Sequence, residues 1–273
     1  MMMNRASHDA GSVEGASGRR FAIEVARSGV RVIEALRLRY RVFKLDAQAD
    51  AGAPGLDYDR FDPFCDHLLV RDVATGRLAG TYRMLGSDAA RRAGGFYSES
   101  EFDLAPIRRL RGRILELGRA CVDPEYRSGA VISALRGGIF NYIAVGEYDY
   151  LIGCGSVPLA PDPRSAAAVC RLLMRTHPAP PELRARPYQP FGAPELDVGG
   201  IADAPMPGAI PPLIKGYLRL GAWVCGAPAW DRDFNAADLL VLLPMARLDE
   251  RYASHYRRAT FGWPLSQPAP IAG

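Results

Sequence analysis

Apolar residues recur at helical spacing from Ile33 to Phe43, with Val32, Leu36, Tyr40 and Phe43 available to one face and Arg37, Arg39 and Arg41 interleaved. The spacing predicts an amphipathic helix. Asp46 to Asp66 breaks the pattern with Gly, Pro and many acids, and predicts a long loop, the usual place for a substrate-binding segment. His67 to Asp72 reads as a strand, Ala74-Thr75-Gly76 as a turn and Leu78 to Leu85 as the returning strand of a hairpin. Gly94 to Arg113 is irregular, with a short helix near Leu104 to Leu110. Arg113 to Val122 alternates as a central strand does, and Asp123-Pro124 ends it.

A second helix is predicted over Ala130 to Val145, from Ile132, Leu135, Ile139, Tyr142 and Ile143. Tyr148 to Cys154 is a short apolar strand and Pro163 to Arg175 another helix. Helix, hairpin, strand, helix and strand in that order predict an α/β fold, a mixed sheet flanked by helices. Pro and Gly crowd Thr176 to Pro212; the apolar strands expected in Leu213 to Leu243 are too few for a core of their own and return to the same sheet. One domain over 21–260 is expected, with a flexible Gly/Ser/Ala-rich tail at 1–20 and a Pro-rich tail at 261–273.

Composition changes this picture little. A chain of 273 residues, 48% hydrophobic, can bury a large core. The net charge of +4 is too small to argue for nucleic acid, and no helix-turn-helix or zinc finger is evident. The five cysteines, Cys65, Cys121, Cys154, Cys170 and Cys225, are odd in number and form no CxxC, so neither disulfides nor a zinc site is expected; reduced thiols fit the cytoplasm. The N-terminus lacks a signal-peptide core. The apolar run Leu239 to Met245 is too short to span a bilayer, and peripheral contact with the inner membrane stays open.

Several segments carry a resemblance: Leu38-Arg39-Tyr40-Arg41-Val42-Phe43; the loop Asp57-Tyr58-Asp59-Arg60-Phe61-Asp62 running on through Cys65-Asp66-His67; Gly80-Thr81-Tyr82-Arg83; and Leu115-Glu116-Leu117-Gly118-Arg119-Ala120-Cys121-Val122-Asp123-Pro124-Glu125-Tyr126-Arg127. With Leu213 to Ala222 and Asp233 to Asp238, they resemble the ornithine N-acyltransferases that begin bacterial ornithine-lipid synthesis. Their order also resembles the acyl-homoserine-lactone synthases. The resemblance spans about residues 30–255 and implies a GNAT-like acyltransferase fold. It implies a 3-hydroxyacyl group carried by acyl carrier protein as donor, L-ornithine as acceptor and a lyso-ornithine lipid as product, with no bound cofactor.

Acyl transfer from a thioester to an amine requires a neutral amine, a stabilised oxyanion and two substrates held in line. Glu116 alternates with Leu115 and Leu117 and is the candidate general base; a structural ion pair with Arg119 is the competing role. By resemblance, Arg119 and Arg83 hold the acceptor carboxylate or orient Glu116, and Arg39, Arg41 and Phe43 fall in the matching N-terminal motif. Asp59, Asp62 and Asp66 either bind the distal ammonium of ornithine or form turns and caps. No calcium-loop pattern is present, so no metal is expected, and His67 is read as a packed strand histidine.

The loop Tyr126-Arg127-Ser128-Gly129-Ala130 before the second helix holds a single glycine where coenzyme A-dependent GNAT enzymes have a Gly-rich pyrophosphate cradle. Arg127 and Gly129 fit the one phosphate of a phosphopantetheine arm. Arg108, Arg109, Arg111 and Arg113 form a cluster that would steer an acidic carrier protein, or simply face solvent. Phe96, Phe102, Leu104 and Ile107, with Ile132, Leu135 and Ile139, are candidates for an acyl tunnel or for ordinary core. The alternatives are an autoinducer synthase acting on S-adenosylmethionine and a non-catalytic module that binds carrier protein.

Overall fold

The computed structural model describes residues 12–14, 19–47, 55–127, 129–192 and 210–248. The C-terminal tail expected at 261–273 and Ser128 lie outside the described residues, as does most of the segment 1–20. Within that segment Ser12–Glu14 forms β1, which pairs antiparallel with β2, Arg20–Val25. This edge hairpin has too short an apolar alternation to register in the sequence. The remaining strands are β3 (Asp66–Asp72), β4 (Leu78–Gly86), β5 (Phe102–Asp103), β6 (Ile114–Val122), β7 (Tyr150–Pro158), β8 (Arg186–Pro187), β9 (Trp223–Val224), β10 (Ala229–Asp231) and β11 (Ala236–Pro244). The helices are α1 (Gly29–Ala47), α2 (Ser87–Arg92), α3 (Ala105–Arg108), α4 (Gly129–Gly146), α5 (Pro163–Thr176) and α6 (Pro212–Arg219).

The main sheet has nine strands in the order β1-β2-β3-β4-β6-β7-β11-β10, with β9 also on β11. Every pair is antiparallel except β6 with β7, which α4 joins as a parallel crossover. Period-two alternation sorts the side chains between two faces. On β3, Leu68 and Val70 join the cluster under α4 while Leu69 joins the one under α1. On β6, Leu115 and Leu117 face α4, and Ile114 faces the opposite side with Phe96, Phe102, Leu104 and Ile107. On β11, Leu239 packs with α5 residues and Leu240 and Leu242 with that opposite cluster. One face therefore carries α4, α5 and α6; the other carries α1, α2, α3 and the loop around Tyr97. Every residue of β11 is buried, which is why its sequence reads as one apolar run. Among the described residues α4 alone is long and apolar enough to cross a membrane, and its Val131, Ala134, Leu135, Ile139 and Ile143 are buried on the sheet.

Two elements differ from expectation. Leu213 to Leu220 is not strand but α6, whose Ile214 and Leu218 are buried one helical turn apart, after Pro212 sets its first turn. The inner face of α1 is Ala35, Leu38, Arg39 and Val42; of Val32, Leu36, Tyr40 and Phe43, Leu36 is buried and Phe43 packs against that face, while Val32 and Tyr40 are only half-buried. The rotation follows from Arg39, which goes inward because aspartates wait for it there.

Candidate active site

The β6–β7 ladder runs only from Ile114↔Tyr150 to Glu116↔Ile152 and then stops, so the strands part toward their C-terminal ends. Two features impose the split. The register between β4 and β6 shifts between Thr81 and Arg83, and Arg119 opposite it has φ of 50°, a left-handed conformation that marks a bulge. At the start of the gap a Cβ on Gly153 would run into the carbonyl of Leu117, so only glycine lets β7 pass there. The gap opens into a cleft of about 330 Å3 lined by Phe43, Arg83, Tyr97, Glu116, Arg119 and Phe234, among others.

Arginines and aspartates build the wall on the α1 face. Arg39, fully buried, donates Nε to Asp57 at 2.7 Å and forks onto Asp62 at 2.6 and 3.3 Å. Arg83 donates to Asp59 at 2.6 Å and lies 3.5 Å from Asp62. Arg119 stands 3.4 Å from both Asp57 and Asp59, and its guanidinium lies over the rings of Tyr97 and Phe234 at 4.9 and 5.0 Å. Burial favours the neutral acid at Asp59, but Arg83, the N–H of Phe61 and Arg119 outweigh it and hold this carboxyl below its ordinary range. Such a network contributes little net stability, and breaking it strands a buried charge; its effect is to fix Arg83 and Arg119 at the cleft.

Glu116 projects from β6 to the same face. Its Oε2 accepts the N–H of Tyr97 at 2.6 Å, and its Oε1 accepts the N–H and hydroxyl of Ser98 at 2.8 and 2.6 Å. Burial raises its pKa, and the Ser98 and Tyr97 donors and Arg83 only partly offset that. The carboxylate thus anchors the loop that carries Tyr97, while Oε2 keeps a lone pair unused by these bonds.

Through the split lies the other face, where a second cavity of about 290 Å3 runs between α4, α6 and β6. Ile132, Leu135, Ile139, Leu213 and Tyr217 line it, with Arg136 at its edge. Tyr82 and Tyr217, whose hydroxyls hydrogen-bond at 2.6 Å, border both this cavity and the cleft.

The structure brings Glu116, Arg119, Arg83 and Phe43 together at the cleft, with Asp59 immediately behind the arginines. Phe43 meets Phe234 edge to face at 5.7 Å. Arg39 and Asp62 sit behind the cleft as a buried pair. Arg41 is exposed and lies 3.5 Å from Asp123, and Asp66 accepts the Tyr142 hydroxyl at 2.5 Å. Phe102 is fully buried core beside Phe96, Leu104 and Ile107; of the acyl-tunnel candidates Ile132, Leu135 and Ile139 line the cavity between α4, α6 and β6. His67 is buried on β3, as read from the sequence. Arg127 and Gly129 stand at the start of α4, at the open end of the split. Arg108, Arg109, Arg111 and Arg113 are exposed at the opposite, closed end, Arg108 lying 3.3 Å from Glu99. Sequence reasoning missed Tyr97, Phe234, Cys154, Asp231 and Asp238 as cleft residues. An aspartate inside the apolar run of β11 is the signal that Asp238 offered.

Residues 38–136, which contain the second half of α1 with Arg39, the aspartate loop and β6, match the Acetyltransferase (GNAT) domain family. Among solved structures, the chain is similar to FeeM, an N-acyl amino acid synthase from uncultured soil microbes, at 14% identity over 89% of this chain and 96% of that one, with a TM-score of 0.47. It is also similar to the AHL synthase LasI, at 12% identity over 92% and 100% of the two chains, again with a TM-score of 0.47. The L-ornithine N(alpha)-acyltransferase of Rhizobium meliloti (strain 1021) is 38% identical over 244 residues, 85% of this chain and 82% of the relative. The protein of the same name from Agrobacterium fabrum strain C58 is 36% identical over 263 residues, 89% and 88% of the two chains. With this identity sustained over more than four-fifths of each chain, the chain belongs to the L-ornithine N(alpha)-acyltransferase family, acyltransferases with a GNAT domain.

Proposed function

We propose that this protein transfers a 3-hydroxy fatty acyl group from acyl carrier protein to the α-amine of L-ornithine, giving a lyso-ornithine lipid. The observation that carries the reading is the split between β6 and β7, which connects an apolar cavity on one face to a charged cleft on the other. The two substrates have those two characters. The acyl chain occupies the cavity of Leu135 and Ile139, and the phosphopantetheine arm passes the start of α4, where Arg127 and the free N–H groups of the helix meet its phosphate. The amino acid occupies the cleft, its carboxylate on Arg119 with Arg83 behind. Glu116 Oε2 takes the proton as the neutral amine nitrogen attacks the thioester carbonyl; the C–N bond forms, the C–S bond breaks, and the pantetheine thiolate leaves and takes up that proton, so that Glu116 is again a carboxylate. The exposed Arg108, Arg109 and Arg111 offer a carrier-protein docking surface, although Arg127 stands closer to the donor path. The site works in the cytoplasm, with its lipid product passing to the inner membrane.

The test is an assay of the purified protein with labelled ornithine and either 3-hydroxyacyl-acyl carrier protein or the matching acyl-coenzyme A. An organic-soluble ornithine product with the carrier-protein donor is the result expected. Equal rates with coenzyme A would remove carrier protein as the specific donor, and no product from ornithine with either donor would remove the acceptor.

A further inference from the structure

At the far wall of the cleft, away from the arginine wall, Asp238 and Asp231 line the cavity, and Glu101 meets Asp238 beside it. Asp238 on β11 lies opposite Ser156 on β7 and Ala229 on β10, and Asp231 ends β10. Glu101 follows the Tyr97–Ser100 turn. A carboxylate oxygen of Glu101, one of Asp238 and the Cys154 sulfur lie within 4.8 Å of one another. Asp238 is 3% exposed and lines the cleft together with Asp231, Cys154 and Ser156. Its Oδ1 and the Oε2 of Glu101 are buried without a hydrogen-bond partner among the described residues, and no arginine, lysine or histidine there forms an ion pair with any of the three acids. Two such oxygens side by side are satisfied either by one proton that Glu101 shares with Asp238 or by a donor from a ligand.

We propose that Asp238 and Glu101, flanked by Asp231, form the seat for a second, non-reacting primary ammonium on the acceptor, and so select a diamino acid. The seat rests on the amino-acid acceptor proposed above and assigns residues to its specificity. A primary ammonium brings three N–H donors and no acceptor, which suits a cluster of oxygens in which Asp231 Oδ1 already accepts the N–H groups of Asp233 and Phe234 while Glu101 Oε2 and Asp238 Oδ1 accept none. Of the acids that the sequence offered for this role, Asp59 and Asp62 already serve Arg83 and Arg39, and Asp66 accepts the Tyr142 hydroxyl. The charge state agrees. Burial first, then Asp238 and Asp231, push Glu101 up to about 8, and burial pushes Asp238 to about 6; a bound cation would relieve both. A metal fits less well, because burial pushes the Cys154 thiol well above its ordinary range and leaves it protonated. Ser98 ties the seat to the reacting end: its hydroxyl donates to Glu116 and lies 3.4 Å from Cys154.

The experiment measures kcat/KM for ornithine and for 2-aminopentanoate, the same acceptor without its terminal amine, in the wild type, Asp238→Asn and Glu101→Gln. The wild type is expected to favour ornithine by about a hundredfold or more, and each variant to cut that ratio by about tenfold or more. In a thermal melt, ornithine but not 2-aminopentanoate should raise the wild-type Tm, a readout independent of the variants' folding. An unchanged ratio in the variants overturns the seat and leaves ornithine as acceptor. Equal wild-type use and equal stabilisation by both amino acids overturn the seat on the wild type alone. Turnover of neither overturns the acceptor reading itself and the seat with it. A ratio that collapses on chelation with EDTA assigns the cluster to a metal and overturns the ammonium seat.

Discussion

At the scale of single residues the site is a contest for charge, and Glu116 shows how one group serves two ends. Three donors orient its carboxylate, so Glu116→Gln would set an amide NH2 against at least one N–H of the Tyr97 loop and cost about 2–3 kcal/mol. If Oε2 is also the base, kcat should fall about 10²- to 10⁴-fold in that variant. A base acts unprotonated, so wild-type kcat should rise with pH through a pKa above the ordinary carboxylate range, and that limb should vanish in Glu116→Gln. A lowered melting temperature with the limb intact would leave Glu116 as an anchor alone. His67 gives a second test. Burial first, helped by Arg39 and Arg83 and opposed by Asp62, lowers its pKa to about 4, against 6.5 for a free imidazole. The folded protein then resists a proton that the unfolded chain accepts, so stability falls as pH drops from about 6.5 to about 4, by up to about 3 kcal/mol, and levels off below for this group. Glu101, raised to about 8, works in the opposite sense between about pH 4.5 and 8. The His67 contribution is therefore read from urea midpoints as the difference between wild type and His67→Gln, and parallel curves would exclude it. Residue types were legible in the sequence where a strand alternates: Glu116 between Leu115 and Leu117 faces the side expected. Arg39 was not, because helical periodicity cannot anticipate that Asp57 and Asp62 return to satisfy a buried guanidinium.

At the scale of elements, the sequence marks the hairpin β3–β4, the strand β6 and the helices α4 and α5 to within two residues at every end, because each has a clear period and a Pro or Gly boundary. It could not mark α6, whose two turns give Ile214 and Leu218 too short a run to separate from a strand, nor the split between β6 and β7, which arises from pairing. α4 is a wall of the cavity proposed to take the acyl chain as well as a core helix, and that gives Leu135 a measurable role. Leu135→Phe puts a larger side chain into a cavity of about 290 Å3 and so reduces it. With acyl-carrier-protein donors of increasing length in competition, this variant should shift preference toward shorter chains, each excluded methylene forfeiting about 0.8 kcal/mol of burial. An unchanged length preference, in a variant that still melts cooperatively, would place the acyl chain elsewhere.

At the scale of the whole molecule the sheet acts as a partition. Apolar side chains and α4 and α6 define one face; the arginines, Glu116 and Asp238 occupy the other; the β6–β7 gap is where they communicate. Paired substitutions test this partition. Leu135 lines the cavity proposed for the acyl chain, and Phe234 stands across the cleft, packed against Phe43 and under Arg119. Phe234→Ala removes the aromatic surface that orients Arg119, so the KM for ornithine should rise about tenfold, the loss of roughly 1–2 kcal/mol from one cation–π contact and its packing. Leu135→Phe should act on the KM for long-chain donors. If the substrates meet only at the gap, the two residues share no contact through the protein, and their effects on kcat/KM should add to within about 0.5 kcal/mol in the double variant. A larger coupling energy would mean that acyl chain and amino acid share one chamber, and the separation of donor and acceptor faces would have to be abandoned.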